Sequence, residues 1–148
     1  LLEEAQAMET LGESPVELYR RALELSEGAF LADFPQYDAW CERERERLAD
    51  RYKDGANRLA KLLYAQGDDE GAIHWAQRLI ERDPCAEEAY RVAMAAYYRQ
   101  GDRPMALRTY DRCVIALDDE LGVDPMPETQ LLFDHITRLQ PLDAALLG

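Results

Sequence analysis

Apolar residues recur along this chain at the three-to-four-residue spacing of helices, and no useful length alternates with period two. The pattern predicts helix nearly throughout. A short helix is expected over 1–11. Ser14 and Glu17 form a capping box with Pro15 at the first helical position, opening a helix whose Leu18, Ala22 and Leu25 share one face and which ends near Gly28. Phe30, Leu31 and Phe34 read as buried anchors of a loop. A long helix follows over 37–66, with the stripe Leu48, Tyr52, Ala56, Leu59 and Leu63. Gly55 interrupts it at a cost of about 1 kcal/mol relative to Ala, which leaves room for a bend there. Further helices are predicted over 69–82, 87–100, 103–119 and 128–139, with Pro84, Pro104 and Pro127 at boundaries or first turns. Their core faces read as Ala72, Ala76, Leu79 and Ile80; Ala89, Tyr90, Ala93 and Tyr97; and Leu107, Tyr110, Val114 and Leu117. In the last helix, Leu131, Leu132, Ile136 and Leu139 are expected to close the open end of the stack. Trp40 is expected to anchor the N-terminal helices to the rest.

Two of these segments are copies of each other. Tyr64, Gln66, Gly67, Asp68, Ala72 and Arg78 recur 34 residues later as Tyr98, Gln100, Gly101, Asp102, Ala106 and Arg112. Each copy is an apolar helix ending in a Gln-Gly-Asp turn. Glycine supplies the positive φ of a helix C-cap, and the aspartate N-caps the next helix. The offset is the period of the tetratricopeptide (TPR) repeat, a helix–turn–helix unit that stacks on its neighbours. Leu59, Ala60, Pro84, Tyr90, Tyr97 and Tyr110 match that pattern, whereas Met94 and Asp118 depart from it. The fold expected is all-α: about seven helices in TPR-like hairpins, a right-handed α-solenoid, with residues 1–148 forming one domain of a longer protein.

Repeats of this kind build binding surfaces, and the composition agrees. The chain has 30 acidic and 17 basic residues, a net charge of −13, which repels a phosphate backbone and argues against nucleic acid as a direct partner. No apolar run approaches the length of a membrane span. Cys41, Cys85 and Cys113 show neither pairing nor metal spacing and fit a reducing cytoplasm, with Cys113 on an apolar helix face. His74 and His135 have no partner at ligand spacing, so no metal site is expected. Ser14 and Ser26 lie in no nucleophile motif, and the glycines do not cluster into a phosphate cradle. No catalytic residue and no cofactor are expected. The run Glu42-Arg43-Glu44-Arg45-Glu46-Arg47 contains favourable pairs at i,i+3 and reads as a solvated helix face or a charged docking surface.

In TPR stacks the first helix of each pair lines the concave groove. That face here offers Asn57, Arg58, Lys61 and Tyr64, then Arg91, Tyr98 and Arg99. A basic, aromatic groove in an acidic chain suits an acidic or carboxyl-bearing protein segment.

The closing stretch Glu120-Leu121-Gly122-Val123-Asp124-Pro125-Met126-Pro127-Glu128-Thr129 resembles the end of the bacterial transcriptional activation domain (BTAD) of the antibiotic-regulatory-protein (SARP-type) activators. Phe30-Leu31-Ala32-Asp33-Phe34, Trp40, Glu44-Arg45-Glu46-Arg47-Leu48, Asp102-Arg103 and Ala106-Leu107-Arg108-Thr109-Tyr110 are similar to that family's pattern in order and spacing. Within the closing stretch, Gly122 is expected to cap a helix, Pro127 and Glu128 to open the next, and Val123 to anchor the turn in the core. The resemblance implies a regulatory, protein–protein contact domain that follows a separate DNA-binding domain. Its partners would be the adjacent DNA-binding or sensory domain, another protomer in a homodimer, or RNA polymerase. A generic TPR adaptor in another assembly is the alternative.

Overall fold

The structure is a computed structural model. It describes residues 16–17, 19–21, 23–24, 39–143 and 147, with side chains of the first long helix described from Arg43 onward. The described residues are helical or irregular, and none is in a strand. Five helices are delimited: α1 (Ala39–Ala65), α2 (Asp69–Arg82), α3 (Glu87–Arg99), α4 (Arg103–Leu121) and α5 (Pro127–Thr137). A further helical stretch includes residues 16–17, 19–21 and 23–24. The expected helix over 1–11, Ser14, the loop anchors Phe30, Leu31 and Phe34, the face Leu18, Ala22 and Leu25, and the side chain of Trp40 lie outside the described residues. No helix among the described residues is long and apolar enough to cross a membrane.

The chain divides into two compact units, Leu1–Leu59 and Ala60–Gly148. In the first, Val16, Tyr19 and Leu23 are buried in the N-terminal stretch, and Tyr52, Ala56 and Leu59 in α1. Leu48, expected on the buried stripe, is 46% exposed. It lies in the charged part of α1, where Arg43, Arg45, Glu46 and Arg47 all face solvent. The Arg47–Glu44 pair there is loose, at 3.9 Å, as suits a solvated helix face.

The second unit is built from turns that the sequence specifies. Gly67 and Gly101 both have φ of +85°. Each turn closes with the same two bonds: Gly67 N to Tyr64 O and Asp68 N to Leu63 O, then Gly101 N to Tyr98 O and Asp102 N to Tyr97 O. The Asp68 and Asp102 carboxylates accept from Gly71 N and Met105 N and so cap α2 and α4. Gly122, with φ of +65°, ends α4. A third copy of the turn closes α5. Leu139 N bonds Ile136 O and Gln140 N bonds His135 O, and Leu139 has a φ of +56°. A leucine in this left-handed region costs about 1–2 kcal/mol, which is why no glycine-based reading finds the turn.

Helix α3 is the centre of this unit. It packs on α2, α4 and α5, and every residue from Ala89 to Ala96 is buried. The small side chains Ala89, Ala93, Ala95 and Ala96 let its neighbours approach from all sides. Around it lie Ala72, Trp75, Ala76, Leu79 and Ile80 of α2, Ala106, Cys113 and Leu117 of α4, and Leu132 and Ile136 of α5. Two expected anchors point outward instead. Val123 is 49% exposed and Leu131 47% exposed. Pro125 is the buried residue of the connector, and in α5 it is Leu132 that is buried while its neighbour Leu131 faces out. Leu139, taken up by its turn, is also exposed.

Candidate functional site

The candidate groove residues fall into three environments. Asn57 and Arg58 belong to the first unit, where Arg58 is exposed and Asn57 half-buried. Lys61, Tyr64, Tyr98 and Arg99 lie at or near the surface of the second unit. Arg91 is only 4% exposed and does not line a surface. Helix α3 has no solvent-facing side in this stretch, so its only arginine between Ala89 and Ala96 is enclosed with its alanines.

What Arg91 does instead is fasten the last helix. Its Nη1 donates to the Thr129 hydroxyl at 2.9 Å, while the Thr129 hydroxyl donates to Glu87 Oε2 at 2.7 Å. Glu87 Oε2 also accepts the Met126 backbone N–H at 2.9 Å. Met126 is the N-cap of α5 and has no side-chain cap of its own. A carboxylate from α3 therefore caps α5, where the helix dipole favours negative charge. Arg103 does the converse at the other end, donating from Nε to Ile136 O at 3.0 Å and from Nη2 to Thr137 O at 2.8 Å. Thr129 of the closing stretch and Arg103 at the start of α4 thus serve one purpose, the placement of α5. The partners are 33 to 42 residues apart, so local sequence carries no sign of these contacts. Buried beside them, the Cys113 thiol is pushed up to about 12 by loss of hydration, with Glu87 adding to the rise.

The surface set is organised by Arg99. Its guanidinium lies 3.7 Å from the centroid of the Tyr64 ring. Nε donates to both Asp69 carboxylate oxygens, at 2.9 and 3.1 Å, and Nη2 donates to Tyr64 O at 2.6 Å. Burial raises the Tyr64 hydroxyl above its ordinary value, Arg99 pulls it back and Asp69 adds to the rise. The hydrogen bond to Asp69 holds the guanidinium proton more tightly than usual. Lys61 pairs with Glu88 at 3.0 Å, both side chains partly exposed. The Tyr98 hydroxyl donates to Gln140 O at 3.1 Å. The structure therefore joins Tyr64 to Arg99 directly, sets Lys61 against α3 and gives Tyr98 to the C-terminal segment. None of these four is the isolated cation or aromatic ring that composition suggested.

Comparison with known proteins gives this architecture its relatives. A family model described as "Bacterial transcriptional activator domain" matches residues 3–137. The regulatory protein AfsR of Streptomyces coelicolor is 32% identical over 130 residues, covering 88% of this chain and 13% of AfsR. The transcriptional regulatory protein EmbR of Mycobacterium tuberculosis is 35% identical over 85 residues, covering 57% of this chain and 22% of EmbR. A solved structure of M. tuberculosis EmbR, in complex with a low-affinity phosphopeptide, superposes with a TM-score of 0.66 at 30% identity, covering 71% of this chain and 28% of that one. The chain thus spans well under a third of each of these relatives. The match over residues 3–137, with an all-helical fold that superposes on a regulator of the same kind, places the chain in the bacterial transcriptional activator domain family.

Proposed function

We propose that this domain is the protein-contact module of a longer transcription activator, and that it docks an acidic or carboxyl-bearing protein segment at Lys61, Tyr64, Tyr98 and Arg99. The observation that carries this reading is the Arg99 arrangement. A guanidinium stacked on Tyr64 and held by both Asp69 oxygens fixes the Tyr64 ring beside Lys61 as a preordered platform, so little side-chain entropy remains to be lost there on binding. Magnitudes separate the roles of the two cations. The Arg99–Asp69 contact is forked and half-enclosed, and stays in place as a platform. Lys61–Glu88 is an ion pair between partly exposed side chains, a kind worth about 0–1 kcal/mol. A partner carboxylate can therefore take the place of Glu88 at little cost. Tyr64 and Tyr98 add flat apolar contact area.

The segment would come from the adjacent DNA-binding or sensory domain, from another protomer or from RNA polymerase. The excess of 30 acidic over 17 basic residues supports a protein partner over nucleic acid. The test is Lys61→Glu in the activator that carries the domain. Promoter activity in a reporter strain should fall several-fold while DNA affinity and the circular dichroism of the domain stay as in the parent. Normal activation by a folded Lys61→Glu protein would remove this surface from consideration.

A further inference from the structure

The two copies of the repeat treat one arginine differently. Arg78 and Arg112 are counterparts at the 34-residue offset. In the first copy the Arg78 guanidinium lies 5.1 Å from the centre of the Trp75 ring, and its Nη1 lies 3.4 Å from His74 Nε2. The second copy places Thr109 and Arg108 where Trp75 and His74 stand. Thr109 is buried and donates its hydroxyl to Met105 O at 2.8 Å. Arg112 is left exposed, with no hydrogen bond or ion pair among the described residues.

Arg112 stands at the edge of an open cavity of about 320 Å³ between the α2–α3 turn and α4. Pro84, Ile115 and Ala116 supply apolar lining, and Tyr90, Asp119 and Glu120 complete it. Tyr90 is 2% exposed, yet its hydroxyl has no hydrogen-bond partner among the described residues. Such a group is costly to leave unsatisfied, so it calls for a partner from outside the protein. Burial chiefly raises this hydroxyl above its ordinary value, so it keeps its proton and can donate. Arg112 is the lining charge that acts on it. The carboxylates act elsewhere in the cavity. The Cys85 thiol, 3.9 Å from Ala116 O, is pushed up first by burial and then by Asp83, Glu120 and Glu87. Asp119 lies two turns beyond Arg112, about 10 Å along α4 at the rise of an α-helix. Asp119 and Glu120 are exposed and make no ion pair among the described residues. The cavity therefore has donors at one end, acceptors at the other and apolar lining between.

We propose that this cavity binds a small molecule of the ω-amino acid class. Its carboxylate would meet Arg112 and the Tyr90 hydroxyl, its aliphatic chain Ile115 and Ala116, and its ammonium Asp119 and Glu120. A simple anion also meets the acidic rim, and a simple cation also meets Arg112, so each satisfies half of the site. A carboxylate and an ammonium joined by a flexible chain satisfy both halves through charge-assisted hydrogen bonds. The volume is at the small end of ligand pockets, which suits a short chain. The site shares no residue with the surface at Lys61, Tyr64, Tyr98 and Arg99, so the two readings fail separately.

The experiment follows the Ile115 δ-methyl signal of the 148-residue chain by NMR as ε-aminocaproate is added, with the buried Ile136 methyl as reference. A saturable shift at Ile115 and none at Ile136 is expected. Hexanoate, which lacks the ammonium, and hexylamine, which lacks the carboxylate, should each bind at least tenfold more weakly. Arg112→Ala, a change at an exposed position, should weaken ε-aminocaproate binding at least tenfold. Tyr90→Phe should weaken it several-fold and leave the urea midpoint unchanged, because the hydroxyl bonds to no described residue. Absence of a saturable Ile115 shift at tens of millimolar ligand overturns the proposal. Hexylamine binding as tightly as ε-aminocaproate overturns it too, since the rim carboxylates alone would then explain the affinity. A folded Arg112→Ala chain with the parent's affinity does the same.

Discussion

Replacing Thr129 by valine isolates the network that fastens α5. Valine keeps the shape and removes the hydroxyl, which donates to Glu87 and accepts from Arg91 at 2.7 and 2.9 Å. Hydrogen bonds to charged groups contribute about 1.5–3 kcal/mol each. Arg91 is poorly placed to absorb the loss. It is 4% exposed and its Nε already has no hydrogen-bond partner. A buried guanidinium that loses its Nη1 acceptor as well approaches the uncompensated buried charge that destabilises proteins by about 3–5 kcal/mol. Against this, a buried methyl in place of a hydroxyl returns about 1 kcal/mol. The net expectation is a loss of about 2–4 kcal/mol, lowering the urea midpoint by about 1–2 M at the m-values usual for a small domain. Equilibrium urea unfolding followed by circular dichroism measures this. Thr129→Ser is the control, because it keeps both hydrogen bonds and gives up one methyl, about 1 kcal/mol. A Thr129→Val chain within about 0.5 kcal/mol of the parent, or a serine variant as unstable as the valine one, would refute the network as the fastening of α5.

Three further outcomes are expected. Gly101→Val should cost about 1 kcal/mol or more, because Gly101 has φ of +85° with open space around it, so the penalty is backbone strain alone; an unchanged melting temperature would contradict this. The Cys113 thiol, raised from an ordinary 9.0 to about 12 chiefly by burial, keeps its proton when the unfolded chain has lost it. Its contribution to stability is therefore intact below pH 9 and declines as pH rises from 9 toward 12. Iodoacetamide at pH 8 should accordingly leave Cys113 unlabelled in the folded chain and label it after denaturation, as read by peptide mass spectrometry. The isolated chain should not shift labelled duplex DNA at physiological salt, and a salt-sensitive shift would overturn the charge argument.

The parts of this fold that depend on short-range chemistry were readable from the sequence. Gly67, Gly101 and Gly122 mark helix ends because positive φ needs glycine, and Asp68 and Asp102 mark helix starts because their carboxylates reach N–H groups three residues on. The parts set by which helix packs on which were not. Arg91 reads as a groove residue on an amphipathic helix, yet α3 has neighbours all round, and the alanines flanking Arg91 were the one available sign of enclosure. Glu87 and Arg103 are the first residues of their helices, and only the folded chain brings them to the two ends of α5. Leu139 hid a third turn with the same hydrogen bonds because its φ of +56° violates the residue preference by which such turns are found. For the candidate surface, the sequence supplied Lys61, Tyr64, Tyr98 and Arg99, but not Asp69, Glu88 and Gln140, the partners that determine what each can still bind.

The most direct test of the contact surface is site-specific photocrosslinking in the intact activator during promoter-dependent transcription with purified RNA polymerase. Benzoylphenylalanine is placed at position 61 in one protein and at position 108, an exposed site on α4, in another. The account predicts a crosslink from position 61 to an acidic segment of the polymerase, of a second protomer or of the activator's own flanking domain, and none from position 108. Crosslinks from position 108 with none from position 61 would contradict it.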